Sequence, residues 1–402
     1  MNNNLNISTR ASGFPESPIR KLNPLADRAK EDGVKVYHVN IGQPDITTPK
    51  AFMDGIREAD VEVLSYSPSR GINRVLDGLV GYYSDQGIKI SREEIMVTTG
   101  GSEAGLFAFY TALEQGSEIL IPEPFYTNYR GFAQMVGVDI RPIPTERANN
   151  FALPEKAEIE EKITEDTEAL LLTNPSNPTG RVYSKKETDI VRDISLEHDL
   201  FLISDEVYRE FAYGDTRPVS ALNLEGIEDR TIMIDSISKR LSGCGARIGT
   251  FASRNEEVMN AALRLGQSRL SPPTMGQLGL ANFLNSPTYR SEIESMINRY
   301  EKRRDLILEE LNEIDDLKFG KPDGAFYLMV ELPVGDAEDF VKWMLTDFRV
   351  ERETVMMAPG EGFYNTPGKG VNQVRLSYVL NRNDLKRVTE LIEKGLTQYR
   401  AR

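Results

Sequence analysis

Five short apolar runs, each closed by a polar or Gly/Pro turn, constrain this chain more than any other feature. They are EIMVTTGG around Val97, SEILIPEPFY around Leu120, EALLLTNPSNPTG around Leu171, LFLISDEVY around Ile203 and RTIMIDSISK around Ile234. Between them lie stretches such as SEAGLFAFYTALEQ and KKETDIVRDISLEH, whose apolar residues recur at helical spacing. Near-continuous apolar strands alternating with helices predict a parallel sheet covered on both faces. Sheets of this open, wound α/β kind collect ligands beyond the carboxyl ends of their strands, so the polar turns are expected to face one site.

From about Asn285 the pattern changes to a long charged helix, YRSEIESMINRYEKRRDLILEELNEI, then GAFYLMVEL, AEDFVKWMLTDF, VNQVRLSYVL and a terminal helix. Strands and helices in that order suggest a smaller α+β domain. The expected division is a large domain over 51–284 and a small one built from 1–50 and 285–402, reasonable for 402 residues.

Composition removes several function classes. The formal net charge of −14 disfavours nucleic acid, although a local cationic pocket inside an acidic protein stays open. His38 and His198 are the only histidines and Cys244 the only cysteine, so no intrachain disulfide can form and a Cys- or His-rich metal site is nearly excluded. The start MNNNLNISTRASGF has no apolar signal region, and no apolar run is long enough to span a membrane. A soluble cytoplasmic protein is expected, with neither metal nor membrane partner.

Four constellations can carry chemistry. In VTTGGSEAG a strand runs through Gly100 and Gly101 into a helix near Ser102, an arrangement whose free amides bind anions but which is also a common turn. In SISKRLSGCGARIG, Ser236, Ser238, Lys239 and Arg247 stand close together after an apolar run. A partly desolvated lysine there has a lowered pKa and can form a Schiff base, and two hydroxyls with an arginine suit a phosphate. The alternative is a loop with a solvated lysine and a salt-bridged arginine. In LFLISDEVYRE, Asp205 can pair with a cationic ring nitrogen and Tyr208 can donate to a ring oxygen; a capping aspartate and a packed tyrosine are the plainer reading. In TNPSNPTG, two prolines stiffen a turn around Asn174 and Asn177.

Together and in this order, these motifs resemble the class I/II pyridoxal-phosphate aminotransferases of the aspartate aminotransferase superfamily, from IGQPD to VRLSYV. The resemblance implies the fold-type I architecture, with a mostly parallel seven-stranded sheet between helices and a smaller α+β domain. It implies pyridoxal 5'-phosphate as cofactor, held covalently by Lys239, which also carries the proton. Asp205 matches the partner of the pyridinium nitrogen, Tyr208 and Asn177 the donors to the ring oxygen, and Tyr126 the stacking aromatic. The phosphate falls to Gly101, Ser102, Glu103, Ser236, Ser238 and Arg247. Arg375 matches the arginine that clamps the substrate α-carboxylate, and Gly42 the glycine beside it. Tyr66 resembles a tyrosine that reaches the phosphate of a second subunit, which implies a homodimer with shared sites.

The activity so implied is ping-pong transfer of an amino group between an L-amino acid and a 2-oxo acid. Aspartate with 2-oxoglutarate is the first expectation, and aromatic or aliphatic amino acids come next. A β-lyase on the same fold and a non-catalytic cofactor-binding regulator are the alternatives, the latter opposed by a stretch before IGQPD too short for a DNA-binding module. Two departures bear on substrate. No arginine stands at the usual place for a distal carboxylate, leaving Arg269 and Arg20 as shifted candidates, and Ala246 replaces a common tryptophan, which predicts a wider pocket there.

Overall fold

A computed structural model describes residues 7–402, so the first six residues of the expected small domain lie outside it. The strands in chain order are β1 (Lys35–His38), β2 (Ile95–Thr99), β3 (Glu118–Glu123), β4 (Asp139–Pro144), β5 (Thr167–Thr173), β6 (Phe201–Asp205), β7 (Thr231–Ser236) and β8 (Ile248–Ala252). Then follow β9 (Lys318–Phe319), β10 (Tyr327–Glu331), β11 (Glu353–Met356), β12 (Ala358–Pro359) and β13 (Gln373–Ser377). The large sheet has seven strands in the order β2-β8-β7-β6-β5-β3-β4, and only β8 runs against its neighbours. All five apolar runs of the sequence are strands in it.

Burial explains why these runs do not alternate with polar residues. All six positions of β7 are buried, with Ile232 and Ile234 in one apolar cluster and Met233 in another. In β5, Ala169 and Leu171 face one cluster while Leu170 and Leu172 face a third. Successive strand residues point to opposite faces, so helices on both sides demand apolar residues at every position. Each such Leu or Ile contributes about 1.5–3 kcal/mol of burial free energy. The helix Gly100–Ala112 and the helix Lys185–Glu197 are two of these covers, the second opened by a capping box between Ser184 and Glu187.

A separate four-stranded sheet has the order β12-β13-β10-β9, and β1 pairs in parallel with β11. The charged segment anticipated after Asn285 is the helix Tyr289–Asn312, and the chain ends in the helix Arg382–Arg400. Among the described residues, no helix is long and apolar enough to cross a membrane.

Candidate active site

The carboxyl ends of β2, β3, β5, β6 and β7 open on one pocket of about 390 Å³. Because β8 is antiparallel, with Ser236 opposite Gly249 and Thr99 opposite Ile248, its amino end brings Arg247 to the same edge. Gly42, Gly101, Ser102, Tyr126, Asn177, Asp205, Tyr208, Ser236, Ser238, Lys239, Arg247 and Arg375 all line this pocket. Residues scattered along the sequence are thus gathered by one strand order.

At the floor stands Asp205. Its Oδ2 accepts from the Tyr129 hydroxyl at 2.7 Å and its Oδ1 from the Val207 amide at 3.2 Å. Burial outweighs both donors and pushes the carboxyl up to about 6, and no cation among the described residues pairs with it. Beside it the Tyr208 and Tyr327 hydroxyls share a hydrogen bond at 2.8 Å. Burial and that neighbour raise the Tyr208 pKa well above normal, which keeps it a neutral donor. Lys239, on the short helix Ile237–Arg240, is half-buried and donates from Nζ to the Gly42 carbonyl at 2.8 Å.

One corner is built for an anion. The Ser236 hydroxyl donates to Ser238 Oγ at 2.9 Å, and the Ser238 amide donates back to Ser236 Oγ at 3.2 Å. No side chain caps the first amides of the helix Gly100–Ala112, where Gly101 and Ser102 line the pocket. Glu103 turns its carboxylate away to accept from the Thr99 amide. Arg247 finds only carbonyl oxygens, of Cys244 at 3.1 Å and Thr99 at 3.5 Å. The approach depends on glycine, since a Cβ on Gly100 would stand 2.3 Å from the Arg247 Nη2.

On the opposite wall Arg375 lies in β13 between β10 and β12. It donates from Nη1 to Asn177 Oδ1 at 2.8 Å and from Nη2 to the Asn40 carbonyl at 2.6 Å, while its buried Nε has no partner. Its guanidinium sits over the Tyr327 ring, 4.3 Å from the centroid. The pocket also takes in Arg20, whose side chain has no ion-pair partner among the described residues. Arg269 does not reach the pocket of its own subunit: that side chain faces Glu103 at 3.5 Å and the Ser69 carbonyl. Ala246 packs on an apolar cluster and does not line the pocket, whereas Cys244 does. Tyr66 is 77% exposed and lies outside this pocket.

Three participants carried no local signal. Tyr129 is three residues past Tyr126 and was hidden beside it, Asn40 is a buried loop residue, and Tyr327 reads as one more buried residue opening an apolar strand.

The family model for aminotransferase class I and II matches residues 34–392. The chain belongs to this family. A probable aspartate/prephenate aminotransferase of Aquifex aeolicus is 30% identical to it over 98% of this chain and 99% of the relative. Aromatic-amino-acid aminotransferase 2 of Thermococcus litoralis is 31% identical, over 98% of each chain. Among solved structures, the Thermus thermophilus aspartate aminotransferase with maleate superposes with a TM-score of 0.88 at 27% identity, covering 97% of this chain and 99% of that one. This aminotransferase is accordingly a pyridoxal-phosphate-dependent transaminase.

The donor set fits that cofactor. A buried carboxylate without a cation, a guanidinium held only by carbonyls beside uncapped helix amides, and an arginine with a buried, unpartnered Nε await a ring cation, a phosphate and a carboxylate respectively.

Proposed function

We propose that this aminotransferase exchanges an amino group between aspartate and 2-oxoglutarate, within a homodimer, by a ping-pong mechanism. The observation that supports the reading best is the convergence of Lys239, Asp205, Arg247 and Arg375 on one pocket. When bound, pyridoxal phosphate supplies an electron sink for the carbanion left at the substrate α-carbon. Every other task falls to side chains. Lys239 Nζ would hold the cofactor covalently and, freed when the substrate amine takes its place, would carry the substrate α-proton onward to the cofactor and not back to the α-carbon. Asp205 keeps the ring nitrogen protonated. Tyr208 and Asn177 donate to the ring oxygen, and Tyr126 covers the ring face. Gly101, Ser102, Glu103, Ser236, Ser238 and Arg247 hold the phosphate. Arg375 would clamp the α-carboxylate beside Gly42 and so fix the orientation of the substrate. Tyr66, exposed on this subunit, reaches the phosphate of a partner.

Arg20 is the residue of choice for a distal carboxylate. Phosphate and α-carboxylate occupy Arg247 and Arg375, which leaves Arg20 as the unclaimed guanidinium of the pocket. Its charge is close enough to add to burial in lowering the Arg375 pKa. A neighbour solved with maleate, a dicarboxylate, supports the expectation of a dicarboxylate substrate. The division into 51–284 and 1–50 with 285–402 belongs to the same reading, supported by a seven-stranded sheet confined to the middle span and by the pairing of β1 with β11 across the other two segments.

The deciding experiment mixes the yellow holoenzyme with glutamate alone. Conversion to pyridoxamine phosphate with release of 2-oxoglutarate supports transfer, whereas a holoenzyme left unconverted by glutamate counts against it. Lys239→Ala should lose the visible absorbance and lower turnover by about a thousandfold. A variant retaining both would sink the assignment.

A further inference from the structure

The stretches 205–210 and 235–240 each divide between two sides. Asp205, Tyr208, Ser236, Ser238 and Lys239 face the pocket. Behind them, five charged side chains pack together in the interior: Glu206, Arg209 and Glu210 from the first stretch, Asp235 and Arg240 from the second. None of these five lines the pocket.

Their contacts tie one stretch to the other. Arg240 donates to Asp235 Oδ1 at 2.7 Å and lies 3.4 Å from Glu210 Oε1. Arg209 donates to Glu206 Oε2 at 2.9 Å and reaches Asp235 Oδ2 at 3.4 Å. Asp235 also accepts from the Tyr83 hydroxyl at 2.8 Å and the Ser236 amide at 2.6 Å. Glu206 accepts from the Ser204 and Ser220 hydroxyls and the Ala221 amide. Two of the three carboxylates are therefore saturated with donors.

Glu210 is the exception, because neither of its buried oxygens receives a hydrogen bond. Arg240 and Asp235 face it from β7 and the following helix, and Glu206 and Arg209 belong to its own stretch. From the helix Asn73–Asp85, Tyr82 lies under the Arg240 guanidinium at 4.5 Å and Tyr83 bonds to Asp235. Outside Arg240, Glu292 and Arg299 of the helix Tyr289–Asn312 border a surface groove. Burial, opposed by Arg240, pushes the Glu210 carboxyl up to about 7. The group of five is neutral when Glu210 holds a proton and carries one negative charge when it does not.

We propose that Glu210 and Arg240 are positioning residues for Lys239: the ion cluster clasps the two site-bearing stretches from behind, and the charge of Glu210, transmitted through Arg240, biases the protonation of the Lys239 nitrogen. The proposal rests on Lys239 being the cofactor-bearing lysine. Arg240 is its chain neighbour on a four-residue helix, so the clasp and the lysine move as one body. An extra negative charge behind the turn favours the protonated form of the Lys239–cofactor linkage, and a buried medium screens it poorly. As two coupled sites, the pair gives up its protons over a widened pH span.

The test titrates the visible absorbance of the holoenzyme. Glu210→Gln keeps the shape and removes the charge, and its midpoint should fall by about half a unit to one unit, with a single-proton curve. Glu210→Asp keeps a carboxylate and should restore a broadened curve. Wild-type holoenzyme supplies a check that needs no variant, because its own curve should be broader than one ionisation. Coincident midpoints for wild type and Glu210→Gln, or a single-proton wild-type curve, would overturn the proposal. Failure of the underlying reading is a different result: Lys239→Ala would then keep the visible band.

Discussion

Arg375 donates to the main-chain oxygen of Asn40 at 2.6 Å, and the Asn40 side chain in turn donates to the Ile19 carbonyl at 2.8 Å. Ile19 is buried against Phe151, Met329 and Phe363, so this relay sets where Arg20, the next residue, enters the pocket. Asn40→Ala leaves the Ile19 carbonyl unsatisfied and should cost about 1–3 kcal/mol of stability. If the relay positions Arg20, the Michaelis constant for aspartate should rise more than that for alanine. Urea unfolding and the two constants check both parts.

Arg20→Leu should raise the Michaelis constant for aspartate by about tenfold or more while leaving that for alanine nearly unchanged. Arg269→Leu should instead lower stability, because its partners are Glu103 and main-chain carbonyls beside β2. Equal effects of Arg20→Leu on both amino acids would remove Arg20 from substrate selection.

Asp205→Asn separates stability from function. Burial raises the folded-state pKa of Asp205 from 3.8 to about 6, so the folded protein binds this proton more tightly than the unfolded chain. Stability from this group is full below the ordinary value and is lost as pH rises through about 6. The ionised form therefore costs about 3 kcal/mol at neutral pH. In the cofactor-free protein Asp205→Asn should raise the neutral-pH melting temperature and flatten its fall across that window. In the holoenzyme the same change should lower turnover by about a hundredfold. Thermal melts from acid to neutral pH give the first answer, and steady-state kinetics the second.

Gly249→Ala probes the anion corner through packing alone. An added Cβ would stand 2.3 Å from the Gly100 carbonyl carbon and 2.6 Å from the Gly101 nitrogen, both main-chain atoms that cannot swing aside. Forcing β8 away from the helix start should cost about 1–3 kcal/mol and weaken inorganic phosphate binding, since Arg247 immediately precedes β8. Denaturant unfolding and phosphate titration measure the two effects.

The parts of the fold readable from sequence were those with a local signature. An apolar strand buried on both faces, such as β7, announces itself in any window that contains it. The residues at strand ends, Asp205, Ser236 and Arg247, were readable because turns and motifs accompany them. Tyr327 and Asn40 were not, because their roles arise only when β10 and the loop after β1 meet the large sheet's edge. The cluster behind Lys239 was equally silent: Glu210 and Arg240 look like ordinary surface charges until the fold buries them. Arg269 shows a further silence: its pairing with Glu103 inside the same subunit has no local signature in the sequence.

The pocket takes its walls from Ile19 at one end of the chain to Arg375 near the other. No short continuous fragment contains it, so the capacity to hold cofactor and substrate emerges only after the large sheet and the strands that carry Arg375 have formed and met. Ligand binding then stabilises the finished molecule and nothing earlier, shifting the folding equilibrium by mass action. Color acquired on adding cofactor thus serves as an assay of complete folding, and a chain cut short before β13 should retain much of its secondary structure yet bind amino acids poorly.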